Sequence, residues 1–279
     1  MSRLDERQQR ELDFYEERAR QRVASETTFD PVLERERRPW NSYWSVYELA
    51  ISLFRAGARR ALDFGCGQGT VAVRLAYVGY EVFGFDISPS NIRIAAQFAQ
   101  RYGFRDRAHF SVQLAENLGY PCDFFDLLVG VDILHHVEIP QAIAEAMRVL
   151  RAGGTAVFRE HLEVPVLDRL RQSFVGRWLV PIGPSQERHV TADERKLTAE
   201  DIRIIRSACS HMELRSFTLL SRLDILLRRP GNASPSLMEQ LDYRLFKAFP
   251  FMRRWGASGV LILQKAREGE DLPRPGQFY

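Results

Sequence analysis

Three clusters of residues in this chain have the types and spacing for chemistry. The first is Leu62-Asp63-Phe64-Gly65-Cys66-Gly67-Gln68-Gly69-Thr70, where an apolar run ends in glycines spaced G-x-G-x-G. Glycines let a ligand come close to the backbone, and the start of a helix offers N–H groups with no partner of their own. The second is Phe85-Asp86-Ile87-Ser88, with its acid 21 residues beyond Gly65. A carboxylate placed there can accept both hydroxyl hydrogens of a ribose. The third comprises His135-His136 and Glu160-His161, each pair closing an apolar run. An imidazole with an ordinary pKa of about 6.5 can take up and return a proton near neutrality.

The glycine spacing separates two ligand chemistries. A dinucleotide loop reads G-x-G-x-x-G and puts its third small residue at position 70, beside a pyrophosphate. Here that position is Thr70, and Gly69 is the third glycine. Asp63, just before the loop, suits a cationic ligand better than a pyrophosphate. A nicotinamide-linked oxidoreductase is therefore disfavoured, although Asp86 by itself is compatible with one.

The elements that must carry these clusters alternate. Short apolar runs at Ala61–Phe64, Glu81–Phe85, Ala108–Val112, Phe125–Val131 and Thr155–Phe158 predict strands. Helical patterns at Thr70–Tyr77, at Ser88–Tyr102 with Ser88 as N-cap and Pro89 in the first turn, and at Ile139–Leu150 lie among them. Gly153-Gly154 is expected to end the last of these helices. Strand and helix alternating through residues 60–160 predict an open parallel α/β sheet with right-handed crossovers. In such sheets ligands bind at the carboxyl ends of the strands, where all three clusters fall. The rest is more varied. Charged residues 3–24 read as a solvated, mobile surface helix, and Asn41–Arg55 as a helix carrying Tyr43, Trp44 and Tyr47 just after Trp40. Residues 161–209 interrupt the sheet with a helix at Val166–Leu179, a polar loop at Pro181–Lys196 containing His189, and a helix from Thr198. Met212–Leu220 and Gly259–Gln264 read as strands, and the tail from Glu268 as disordered.

In this order and spacing the motifs resemble class I S-adenosylmethionine-dependent methyltransferases, over roughly 55–265. The resemblance rests on Leu62–Thr70, Phe85–Ser88, Ala115-Glu116-Asn117-Leu118, Phe125–Leu128, Ile133-Leu134-His135-His136-Val137 and Val149–Gly154. It implies a Rossmann-like, mostly parallel seven-stranded sheet with helices on both faces. An N-terminal helical extension or lid (1–56) would precede a methyltransferase domain (57–267) whose substrate-side inserts are 161–209 and 221–257, with a disordered tail at 268–279. It implies S-adenosylmethionine as cofactor and S-adenosylhomocysteine as product. Gly65, Gly67 and Gly69 would line the methionine and ribose parts, with Cys66 and Val131 alongside. Asp63 would sit near the amino group, Asp86 on the ribose, Ile87 on the adenine, and Ala115 and Glu116 at the adenine edge. Leu114 stands where the family often has an acid that bonds the adenine amino group. The subgroup resembled is the small-molecule, quinone and lipid methyltransferases. His135, His136 and Glu160 are the candidate catalytic residues. The other reading of the histidine pair is a cap that fixes the loop, and that of Glu160 a solvated strand end.

Composition narrows the partners. The 279 residues hold 39 Lys+Arg against 36 Asp+Glu, a net charge of +3 that is too balanced for nucleic-acid binding by bulk attraction. Asp132-Ile133-Leu134-His135 stands where amino-group nucleic-acid methylators carry an Asn/Asp-Pro-Pro-Tyr motif. Pro121-Cys122 precedes the strand that it follows in cytosine-C5 enzymes. A small-molecule acceptor is therefore expected, most simply O-methylated, and no nucleic acid. RNA or protein methylation, or a non-catalytic scaffold, are the alternatives. The three cysteines form no C-x-x-C pair, so neither a disulfide framework nor a metal site is expected. A soluble, cytoplasmic protein is expected, since no run nears the roughly 18 apolar residues of a membrane span. Leu241–Trp255 mixes large apolar and basic residues. A helix packed on the last strands is the favoured reading, and a lip against a bilayer the other. Oligomeric state is not legible.

Overall fold

A computed structural model describes residues 4–21, 38–165, 195–224 and 236–267. The apolar runs form seven strands: β1 (Arg60–Phe64), β2 (Glu81–Asp86), β3 (Ala108–Val112), β4 (Phe125–Val131), β5 (Leu150–His161), β6 (His211–Phe217) and β7 (Ser258–Gln264). They build one sheet in the order β3-β2-β1-β4-β5-β7-β6. The first five pair in parallel, and β7 enters antiparallel between β5 and β6. Strands covered on both faces must be apolar at nearly every position, and β4 (Phe-Asp-Leu-Leu-Val-Gly-Val) meets that demand.

Successive residues of each strand feed two cores. On one face Leu62, Phe64, Leu128 and Phe158 pack with Ile143 and Met147 of α5 (Ile139–Val149). On the other, Ala61, Leu127, Val129 and Val157 pack with Val46 and Ala50 of α2 (Ser42–Arg55) and Leu75 of α3 (Thr70–Val78). Asn41 caps α2 by accepting the Trp44 N–H at 3.0 Å, and Ser88 caps α4 (Pro89–Arg101) by accepting that of Asn91 at 3.1 Å. Thr198 and Asp201 form a reciprocal capping box at α6 (Ala199–Ser207).

Two expectations are corrected. Gly153-Gly154 does not end α5. The chain turns extended at Leu150, which pairs directly with Phe125, so both glycines lie within β5 at a register irregularity. Residues 3–24 give α1 (Glu6–Gln21), which is not simply solvated: Glu11 is 4% exposed and Ala19 is buried. Its polar residues recur every four positions, so one polar face is turned onto the protein. The expected helix at Val166–Leu179, most of the loop Pro181–Lys196 with His189, and the tail from Glu268 lie outside the described residues. Among the described residues no helix is long and apolar enough to cross a membrane.

The last part of the chain returns to the same end of the sheet. Thr218, just past β6, accepts the N–H of Ala257, just before β7, at 2.9 Å. Between them lie a 3-10 turn at Leu220–Leu223, α7 (Leu237–Ala248) and a second 3-10 turn at Pro250–Trp255.

Candidate active site

The loop after β1 is built for close approach. Gly65, Gly67 and Gly69 all have positive φ (74°, 49° and 83°). A Cβ on Gly67 would meet nothing within 4 Å, whereas one on Gly69 would stand 2.9 Å from the Ala95 Cβ of α4. Gly67 thus opens on a cavity, and Gly69 lets α3 and α4 pack. Asp63 is 1% exposed beneath the loop, where it accepts the Ala72 N–H of α3 at 2.8 Å. Burial pushes its carboxyl up to about 8, and the neighbouring charge of Asp86 adds to the effect. Cys66 is buried with its Sγ 3.7 Å from the Gly67 carbonyl, and its thiol is pushed well up by burial.

Asp86, at the end of β2, accepts the N–H of Gly67 at 3.0 Å on one oxygen. The other takes the Ser88 N–H at 2.9 Å and the Asn91 amide at 3.2 Å. The carboxylate is fixed while keeping acceptor capacity toward the cavity. The same cavity is lined by Gly65, Gly67, Ile87, Ala115, Glu116, Val131 and His136, and by Asp132, Ile133 and Val137. Asp63, Cys66, Gly69, His135 and Glu160 stand behind this lining. A larger groove between α2 and α3, lined by Trp44, Phe54 and Tyr77, meets none of the loops at the strand carboxyl ends, so the smaller cavity is the candidate site.

The two histidines separate in role. His135 is 8% exposed, and its Nδ1 lies 2.8 Å from Glu160. Glu160 is fully buried, and its second oxygen accepts the N–H groups of Ile133 (2.8 Å) and Leu134 (2.7 Å). This is no solvated strand end. It is a carboxylate that shapes the turn after β4. His136 faces the cavity with its ring centroid 4.1 Å from that of His135.

The sequence reading missed what reaches this site from far away. Arg7 of α1 donates to the His136 carbonyl and to Glu116, the latter at 2.6 Å. The Tyr15 hydroxyl lies 3.1 Å from His136 Nε2, and Glu11 lies 3.2 Å from its Nδ1. Glu16 accepts from the Ser90 N–H (2.8 Å) and from both serine hydroxyls at the start of α4. The four-residue spacing of positions 7, 11 and 15 was the available signal, because it puts them on one helix face. At the cavity rim Arg159 pairs with Asp132, and its guanidinium lies 4.5 Å over the Tyr43 ring. The Tyr43 hydroxyl donates to Asp132 at 3.2 Å. Of the N-terminal aromatics Tyr43 alone makes this contact, since Tyr47 accepts from Arg74 and Trp44 lines the distant groove. His161 is half exposed and lies 3.2 Å from the Arg159 guanidinium.

A five-stranded parallel sheet extended by an antiparallel β7 between β5 and β6, with one cavity at the carboxyl ends of β1, β2 and β4, defines the Rossmann-like class I methyltransferase fold. Residues 62–158 match the family model described as a methyltransferase domain. Residues 62–158 thus carry a methyltransferase domain, and the chain as a whole has the fold of class I S-adenosylmethionine-dependent methyltransferases. It is 34% identical over 158 residues to 27-O-demethylrifamycin SV methyltransferase of Amycolatopsis mediterranei, covering 53% of this chain and 58% of that protein. It is 30% identical over 145 residues to ubiquinone biosynthesis O-methyltransferase of Cereibacter sphaeroides, covering 48% and 56%. The chain thus spans about half the length of the curated relatives it matches. Geranyl diphosphate C-methyltransferase from Streptomyces coelicolor A3(2) shares the fold, with a TM-score of 0.59 at 13% identity over 95% of this chain and 100% of that one.

Proposed function

We propose that this protein transfers the methyl group of S-adenosylmethionine to a small-molecule acceptor, with an acceptor hydroxyl oxygen as nucleophile. One observation carries the reading. The glycine loop, the fixed Asp86-Ile87 pair, Ala115-Glu116 and His136 all meet in one cavity. These residues fit the cofactor: a carboxylate for a diol, an open glycine backbone for a zwitterionic chain, and an aliphatic side chain for a flat base. We extend the methyltransferase domain over 57–267 and read 1–56 as its helical cover.

When bound, the cofactor supplies an electrophilic methyl on a sulfonium. Asp86 accepts the ribose hydroxyls, Gly67 leaves room for the methionine part, and Gly65 and Val131 wall it. Ile87 packs on the adenine, with Ala115 and Glu116 at its edge. Asp63 acts from beneath the loop, because an ammonium above it favours its ionised form. Gly69 and Cys66 set the loop's path. His136, its Nδ1 held by Glu11, takes the hydroxyl proton on Nε2 in place of its Tyr15 contact as the oxygen–methyl bond forms and the sulfur–methyl bond breaks. Glu160 and His135 hold the turn that aims it. The rest of the catalysis is positioning and exclusion of water, to which α1 contributes by covering the cavity. The names of the rifamycin and ubiquinone relatives support oxygen as the acceptor atom.

The test incubates the protein with methyl-labelled S-adenosylmethionine and host extract, then partitions the label. Label in the organic or soluble aqueous fraction is expected. Label confined to acid-precipitable material, or failure to bind S-adenosylhomocysteine in calorimetry, overturns the reading.

A further inference from the structure

We propose that the face formed by α7 and the turn Pro250–Trp255 is a docking surface for an anionic lipid bilayer. A helix packed on the last strands should bury its apolar residues. Here only Asp242 and Phe246 of α7 are buried, while Leu237 is 73% exposed, Phe251 60%, Phe249 49% and Leu241 45%. Leu237, Leu241, Arg244 and Ala248 recur at spacings of four, three and four, so they share one helix face. At its end the rings continue: the Phe249 and Phe251 centroids are 6.1 Å apart, and those of Phe251 and Trp255 are 6.2 Å apart.

The charges on this face have one sign. Arg244, Lys247 and Arg254 are exposed, with the Arg254 guanidinium 4.7 Å over the Trp255 ring. Arg253 turns partly inward, toward the Phe246 carbonyl at 3.4 Å and the charge of Glu213. The two acids of the segment are engaged elsewhere. Glu239 is approached by the Asn41 amide at 3.4 Å. Asp242 is buried and accepts the N–H groups of Leu219, Leu220 and Ser221. Apolar and aromatic groups interleaved with cations, with both acids withdrawn, complement the interface of a negatively charged bilayer. The rings enter the acyl boundary and the cations meet phosphates. A protein partner would need its own groove to cover two projecting phenylalanines, whereas a bilayer conforms to them. The Asp242 contacts hold the helix rigid, so docking costs little ordering.

The location favours use. The Asn41–Glu239 contact ties α7 to the start of α2, and Tyr43 on that turn reaches Asp132 at the cavity rim. Docking would bring the rim close to the membrane. The inference rests on exposure and charge alone and stands independently of the methyl-transfer reading.

The test is co-sedimentation of the full chain with extruded vesicles of phosphatidylcholine and phosphatidylglycerol, against vesicles of phosphatidylcholine alone. Binding to the anionic vesicles at about 0.15 M salt, and its loss near 1 M, is expected. Charge neutralisation in R244Q/K247Q/R254Q removes about five-fold in partitioning per cation, on the order of a hundred-fold together. F249S/F251S lowers binding even at low salt. All these positions are exposed, and both variants keep the wild-type melting temperature and S-adenosylhomocysteine affinity. Three results overturn the proposal: no sedimentation of the wild type, equal sedimentation of wild type and both variants, or a dimer by light scattering that the same substitutions dissociate while vesicles leave it intact.

Discussion

Glu160 holds His135 through one carboxylate oxygen, at 2.8 Å, and the backbone of the turn leading to it through the other. A single buried side chain at the end of β5 therefore sets both the path of the chain after β4 and the orientation of an imidazole on it. Removing it leaves two buried N–H groups without a partner, at about 1–3 kcal/mol each. Glu160→Ala should lower the unfolding free energy by about 3 kcal/mol in urea titrations. Glu160→Gln, which keeps one acceptor oxygen, should lose clearly less. Equal losses would mean that the N–H contacts do not matter.

Asp86→Ala should weaken S-adenosylhomocysteine binding on the order of a hundred-fold, since two ribose hydroxyls lose a charged acceptor. The Gly67 N–H loses its partner as well, so the loop loosens too. Calorimetry gives the affinity directly, and an unchanged value would exclude Asp86 from the ribose contact.

His136, which faces the cavity, and His135, which is held behind it, should respond differently. His136→Ala should lower turnover at least ten-fold with little change in cofactor affinity, as general-base removal does. His135→Ala should lower turnover and stability together. Unchanged turnover in His136→Ala would remove His136 as the base.

Glu16 pins α1 to the start of α4 through Ser88 and Ser90. Glu16→Ala should speed amide hydrogen exchange along Glu6–Gln21 and raise the dissociation rate of S-adenosylhomocysteine. Exchange in β1 and β4 should be unaffected. Unaltered exchange in α1 would mean that the carboxylate does not anchor it.

Asp63 gives a pH signature. Its folded carboxyl lies near 8 against an ordinary 3.8, because burial penalises the charged form. A raised acid stabilises the fold fully below its unfolded value and loses that contribution as pH climbs through the folded one. Wild-type stability should therefore carry a downward slope between about pH 4 and about pH 8 that Asp63→Asn lacks. Thermal melts across that window test it, and parallel curves would refute it.

Legibility from sequence followed locality. The strands β3 and β4 and the cap at Ser88 were readable because apolar runs and capping chemistry are local. The glycine loop and Asp86 were readable because a fixed number of residues spans β1, α3 and β2. The start of β5 was misread because Gly153-Gly154 carries a stop signal, while pairing between Leu150 and Phe125 had already taken the chain out of the helix. The roles of Arg7, Glu11 and Tyr15 were not read, because their partner His136 lies more than a hundred residues away. A charged helix that covers a polar site looks, in composition, like one that faces water. For Glu160 the sequence left a catalytic role and a solvated strand end both open for the same reason: its partners lie on the turn after a distant strand.

The hydrogen bond between Ala257 and Thr218 has a consequence for how such a protein can change. Everything from residue 219 to residue 256 leaves and re-enters the sheet at two neighbouring backbone positions. The excursion is closed at one backbone junction and rests on β6 and the start of α2, away from β1, β2 and their loops. Selection can thus retune what the molecule touches without disturbing the frame that holds Asp86.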